Sequence, residues 1–152
     1  MFFNPKTMMK KIFLAIAYVF ALVTTACADN YQPISLTQLP KKSQDFISTY
    51  FPGAKVSLVR KEIDVLESSY DVIFTDGSKV DFDRKGNWIE VDCLNHPLPE
   101  GIVPEGINKV IITHYPESQV IKIERDHREI DVKLSNRVEL TFNKHLQLID
   151  ID

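Results

Sequence analysis

The second half of this 152-residue chain repeats the first, and that correspondence limits the folds open to it more than any other feature. Leu39-Pro40-Lys41 through Phe51-Pro52-Gly53 returns as Val103-Pro104-Glu105 through Tyr115-Pro116-Glu117. After a short deletion the register resumes. Asp71-Val72 matches Asp131-Val132, Phe82 matches Phe142, and Ile89-Glu90-Val91-Asp92 matches Ile149-Asp150-Ile151-Asp152. A unit this short buries too little apolar surface by itself, so the two copies are expected to share one core or one continuous sheet.

Each copy opens with a helix signal. Proline in Leu39-Pro40 and Val103-Pro104 suits a helix start, where its missing N–H costs nothing. Phe46, Ile47, Tyr50 and Phe51 then fall on one helical face, as do Ile107, Val110, Ile111 and Tyr115, and Pro52 and Pro116 end the two segments. Beyond each helix the apolar period changes to two. Strands are expected at Val56 to Ile63, Tyr70 to Thr75, Lys79 to Asp83 and Trp88 to Asp92, then at Val120 to Arg125, Ile130 to Ser135, Val138 to Asn143 and Gln147 to Asp152. Asp76-Gly77 is a tight-hairpin signal, because glycine accepts the positive φ such turns need.

The gaps between strands are too short for crossover helices, so the pairing should be antiparallel. The fold class is therefore α+β: two tandem units of one helix and four strands, forming an eight-stranded antiparallel sheet with both helices on one face. The expected divisions are an export signal over 1–28, a first unit over 29–93, a link over 94–102 and a second unit over 103–152. Asp29 to Ser35 is expected to be an unstructured lead-in.

Strict alternation assigns the two faces. Val80, Phe82, Ile89 and Val91, with Leu140, Phe142, Ile149 and Ile151, should point at the helices. Lys79, Asp81, Asp83, Trp88, Glu90 and Asp92, with Glu139, Thr141, Asn143, Leu148, Asp150 and Asp152, should form the open face.

The N-terminus reads as an export signal: Lys10-Lys11, the apolar run Ile12 to Val23, and small residues ending Ala26-Cys27-Ala28, with cleavage expected before Asp29. The run is too short for a comfortable membrane span. Lipidation of Cys27 is the alternative, and it is the only route by which this reading places the chain on a membrane. Of the 18 Lys and Arg, Lys6, Lys10 and Lys11 lie in that signal, so against 21 Asp and Glu the remainder carries a net charge of −6. Nucleic acid is an unsuitable partner for such a surface.

Candidate chemistry is sparse. With Cys27 removed, Cys93 has no disulfide partner, and a nucleophilic Cys93 with His96 would need a thiolate-stabilising environment that the sequence does not display. His96, His114, His127 and His145 share no metal-ligand spacing. Asp81, Asp83, Glu90 and Asp92 could converge across one hairpin, but they alternate in strands rather than line a tight calcium-binding loop. No nucleophile elbow, phosphate loop or dinucleotide fingerprint is present. The expectation is a non-catalytic protein without cofactor or resident metal. Trp88 in register with these acids has the character of a recognition anchor. The candidate partner patch is Trp88, Glu90, Asp81, Asp83, Leu148 and Asp150.

The punctuation resembles the PepSY-like family, in its tandem-repeat secreted branch with a fold similar to β-lactamase inhibitor protein. Leu39-Pro40, Phe51-Pro52-Gly53 and Asp76-Gly77 carry the resemblance in the first unit, and Val103-Pro104 and Tyr115-Pro116 in the second. The resemblance implies a curved eight-stranded sheet, helices on its convex side and a concave face able to grip another protein. It does not extend to that inhibitor's disulfide in each repeat, because Cys93 is single. Together these readings point to an exported, periplasmic module that binds a protein or peptide on its open face. A small-ligand or cation sensor is the alternative.

Overall fold

Proline sets the start of both helices. Pro40 and Pro104 occupy the N-cap positions of α1 (Lys41–Tyr50) and α2 (Glu105–His114), with ψ near +141° on both. Each helix buries residues four apart, Ser43 and Ile47 in α1, Ile107 and Ile111 in α2, so each presents one stripe to the sheet. In the computed structural model, which describes residues 31–63 and 68–152, these stripes join a single core with Val72, Val80, Phe82, Val91, Ile123, Val132, Leu140 and Phe142. The expected export signal and Cys27 lie outside the described residues.

Nine strands form one sheet in strict chain order: β1 (Tyr31–Pro33), β2 (Val56–Ile63), β3 (Ser68–Phe74), β4 (Lys79–Asp83), β5 (Trp88–Asp92), β6 (Val120–Arg125), β7 (Glu129–Leu134), β8 (Glu139–Asn143) and β9 (Leu148–Ile151). Every neighbouring pair is antiparallel. The α+β class holds, and the sheet has one strand more than the eight expected. The extra strand comes from the segment expected to be a lead-in. Tyr31, Gln32 and Pro33 pair with Glu62, Lys61 and Arg60, and Ile34 N–H donates to the Val59 carbonyl at 2.9 Å. Proline is tolerated there because the strand lies at the sheet edge.

Two close approaches seat the hairpins against the helices. Gly86, in the β4–β5 turn at φ +83°, leaves a Cβ position only 2.8 Å from Pro40 Cβ and 2.9 Å from Ser43 Oγ. At the matching turn between β8 and β9 the large residue is Leu146, and Gly106 of α2 yields the space instead, with a Cβ position 3.0 Å from Leu146 Cδ1. In the first contact the glycine lies in the turn, and in the second it lies in the helix.

One detail overturns the alternation. The register shifts between Asp81 and Phe82, so that Asp81 pairs with Glu90 while Phe82 pairs with Trp88, and Ile89 becomes the extra residue of a β-bulge. The same shift places Leu148 opposite Phe142 and leaves Ile149 over. Trp88 and Leu148 therefore turn to the helix side and pack against the core. Trp88 lies 6.3 Å from the Phe46 ring, centroid to centroid. Ile149, expected in the core, is 51% exposed, and Ile151 on the edge strand is 53% exposed.

This reversal has a measurable consequence. Leu148→Ala is expected to cost about 1–2 kcal/mol in a denaturant titration, roughly half the price of a fully buried leucine. Ile149→Ala should stay within about 0.5 kcal/mol of the wild type. Strict alternation would give the opposite order.

Candidate functional site

The open face is organised by cross-strand register. Following partners from β2 to β9 gives Arg60, Asp71, Asp81, Glu90, Glu124, Asp131, Thr141 and Asp150 in one continuous row. Six of these eight positions are carboxylates, contributed by six different strands. Directly opposed like charges repel in a sheet, so a line of this kind persists only with counter-charges.

Those come from one end and from the row beside it. Arg60 Nε lies 2.6 Å from Asp71 Oδ2, and its guanidinium stacks 4.0 Å from the centroid of the Tyr31 ring. Asp71 is almost fully buried, and this pairing permits that burial. Lys79 Nζ lies 2.7 Å from Asp81 Oδ2 and 3.6 Å from Glu90 Oε1. Lys122 Nζ lies 3.2 Å from Glu90 Oε1 and 3.7 Å from Glu124 Oε2. Farther along, the Thr141 hydroxyl donates to Asp131 at 2.6 Å, and Lys133 pairs with Glu139 at 2.7 Å. Between β6, β7 and β8 the surface dips into a depression of about 210 Å³ lined by Lys122, Glu124, Asp131, Lys133, Glu139 and Thr141.

Asp81 is the member under most electrostatic stress. Its Oδ1 is buried without a hydrogen-bond partner among the described residues. Burial pushes its carboxyl up to about 6, and the Lys79 ammonium only partly offsets this.

Of the six residues expected to form the partner patch, Asp81, Glu90 and Asp150 lie in this row. Asp83 lies on the same side but serves the β4–β5 turn, accepting from the backbone N–H groups of Lys85 at 2.8 Å and Asn87 at 2.9 Å, and from Asn87 Nδ2 at 2.7 Å. Burial raises its carboxyl, and the bonds from Asn87 and Lys85 outweigh that, leaving it below its ordinary value. Trp88 and Leu148 are displaced to the other face by the bulges. The Arg125 guanidinium lies 3.6 Å from the centroid of the Trp88 ring, and Arg125 Nε donates to the Trp88 carbonyl at 2.9 Å. Beyond Glu90 and Glu124 the strands β5 and β6 are no longer paired, and a groove of about 790 Å³ opens there, which brings Trp88 together with Asp81, Asp83 and Glu90 of the expected patch, beside Glu124 and Arg125.

Alternation alone missed Asp71, Glu124 and Asp131. The available signal was the correspondence of Asp71-Val72 with Asp131-Val132, which puts a carboxylate at the same strand position twice. Cys93 is buried, and burial pushes its thiol up, against a hydrogen bond with Ser78, so the reactive thiolate is disfavoured. Among the described residues no group of three or more His, Cys, Asp or Glu is arranged to hold a metal ion.

Asp81 gives stability a pH dependence of known sign. Its carboxyl titrates near 3.8 unfolded and near 6 folded, so between those values the folded chain holds the extra proton and stability falls as pH rises. Asp81→Asn removes this dependence. Relative to wild type, the variant is expected to gain on the order of 2 kcal/mol between about pH 4 and about pH 7, read from denaturant midpoints at each pH. A stability difference that stays flat with pH would contradict the burial argument.

Residues 68–150 match the family model described as "Putative beta-lactamase-inhibitor-like, PepSY-like". No curated protein matches significantly. A solved structure described as a putative periplasmic protein of the DUF2874 family from Bacteroides vulgatus is 46% identical with a TM-score of 0.80, covering 82% of this chain and 98% of that one. A putative calcium-regulated periplasmic protein from Bacteroides thetaiotaomicron is 51% identical with a TM-score of 0.80 over the same shares. A putative periplasmic protein of unknown function from Bacteroides vulgatus is 28% identical with a TM-score of 0.76, covering 81% of this chain and 99% of that one. A family match over more than half of the chain, with relatives of this identity sharing the fold, means that the chain belongs to the PepSY-like family.

Proposed function

We propose that this chain is a non-catalytic, exported module, periplasmic like the descriptions of its relatives, whose open sheet face binds a basic segment of a protein or peptide. The observation that carries this reading is the row of six carboxylates crossing the sheet from Asp71 to Asp150. Lys79 and Lys122 neutralise its centre, whereas Glu124 and Asp131 border the depression with carboxylates at the surface. A partner presenting Lys or Arg at strand spacing would meet acids about 5 Å apart, the distance between adjacent strands. Such complementarity discriminates partners and speeds encounter more than it adds affinity. Trp88 and Leu148 pack against the core on the helix side, and Trp88 also borders the groove that Asp81, Asp83 and Glu90 line.

The test is recovery of a partner from periplasmic extract by residues 29–152, beside the double variant Glu124→Lys/Asp131→Lys. Glu124 and Asp131 are exposed, so the fold should survive. The expected result is a partner retained by the wild type, lost by the variant and released by moderate salt, since exposed charge pairs are screened over roughly 10 Å at 0.1 M. A partner held equally by both proteins would place recognition elsewhere.

A second reading rests on Asp81, whose orphaned Oδ1 lies between Asp71 and Glu90 in the row. A hard cation such as calcium would favour that oxygen-rich position, and one relative is described as calcium-regulated. It ranks second because Lys79 already places an ammonium at Asp81 and near Glu90, and because these acids, like the rest of the described residues, form no group of three arranged to hold a metal ion. On this reading, calcium should raise the melting temperature saturably in the wild type and not in Asp81→Asn. No shift in either protein would remove it.

A further inference from the structure

The strands β5 and β9 occupy equivalent places. Each is the fourth strand after its helix, each carries the same bulge against the strand before it, and Glu90-Val91-Asp92 corresponds to Asp150-Ile151-Asp152. Their outer edges differ. The outer edge of β5 is covered by β6, with Glu90 opposite Glu124, Val91 opposite Ile123 and Asp92 opposite Lys122, and Val91 is fully buried. The strand β9 ends the sheet, and among the described residues nothing pairs with its outer edge. Ile151, the counterpart of buried Val91, is 53% exposed.

The backbone agrees with the side chains. Asp152 and Glu139 exchange both N–H···O bonds at 2.9 Å. Antiparallel ladders alternate, so the N–H and C=O of Ile151 point away from β8. An exposed edge of this kind is a template for a further strand.

We propose that β9 is a strand-addition site that takes an extended protein segment of alternating basic and apolar residues as a tenth, antiparallel strand. The β5–β6 junction within the chain is the pattern for the occupant. An Ile or Val should lie opposite Ile151, as Ile123 lies opposite Val91, and a Lys or Arg opposite Asp152, as Lys122 lies opposite Asp92. Opposite Asp150 the occupant needs a second Lys or Arg where β6 has Glu124. Glu90 tolerates Glu124 because Lys79 and Lys122 lie 3.6 and 3.2 Å from it, whereas no lysine bridges Asp150 among the described residues. Charge also argues against a second copy of β9 as the occupant. Two-fold antiparallel pairing about Ile151 would set Asp150 of one chain opposite Asp152 of the other, with no cation between them. The proposal concerns the sheet edge; it shares Asp150 with the row on the open face and uses none of the row's other acids.

The test uses residues 29–152 and a capped synthetic peptide with the sequence of residues 119–126 carrying Glu124→Lys. The same peptide N-methylated at the position of Ile123, which loses one ladder donor and keeps every charge, is the control. The expected result is a saturable perturbation of the Ile149 and Ile151 amides by NMR, slower hydrogen exchange at Ile151, and binding weakened about tenfold or more by N-methylation. Ile151→Pro, which removes the outward donor, should weaken binding similarly. If that variant does not fold, Asp150→Lys/Asp152→Lys keeps the backbone donors and should reject the same peptide. Glu124→Lys/Asp131→Lys in the protein should leave this binding unchanged, which separates a failure here from a failure of the open-face reading. Equal binding of the N-methylated peptide, perturbations away from β9, absence of binding, or dimerisation through β9 would each overturn the proposal.

Discussion

Where β5 meets β6, Val91 faces Ile123 on one side of the sheet and Glu90 faces Glu124 on the other, over only three residue pairs. This narrow seam joins the strands that follow α1 to those that follow α2. On the helix side it is apolar and closed, since Val91 and Ile123 are both fully buried. On the open side it brings two carboxylates together, which by itself would weaken the join. Lys122 answers by reaching both acids, at 3.2 and 3.7 Å. The seam is thus held by hydrophobic burial beneath and by a shared ammonium above, and the continuity of the core and of the acidic row both depend on it.

The row carries a cost that the rest of the face is arranged to contain. Arg60, clamped between the Tyr31 ring and Asp71, allows a carboxylate to be buried near one edge. Lys79 serves Asp81 and Glu90 together, yet the burial of Asp81 still holds its carboxyl near 6. Elsewhere among the described residues, Cys93 is buried with its thiol raised, and Asp83 caps a turn. The carboxylates of six strands, with Arg60, Lys79 and Lys122 set against them, thus lie on a face that the helices leave uncovered.

Much of this architecture was legible in the sequence because alternation and proline placement report local geometry directly. The bounds of β2, β4, β5 and β6, and the prolines opening both helices, follow from pattern alone. The strand β1 was not legible, since three residues containing a proline have no strand signature and form one only against β2. The faces of Trp88, Leu148, Ile89 and Ile149 were misread for a different reason. A bulge inserts one residue, and everything beyond it on that strand changes sides, while nothing in Gly86-Asn87-Trp88 announces the insertion. The acidic row was legible only in pieces. Asp81, Glu90 and Asp150 stood out within their strands, but a line crossing the sheet is a property of register, which needs every hairpin fixed at once.

The most direct measurement is a carbon-13 NMR titration of the side-chain carboxyl groups of residues 29–152 with a short oligolysine peptide, at low and at moderate salt. The account predicts that the carboxyl carbons of Glu90, Glu124 and Asp131 move together along one saturable curve, and that salt suppresses the response. Carboxyl carbons in this row that stay still while acids elsewhere on the chain respond would contradict the claim that the row is the recognition surface.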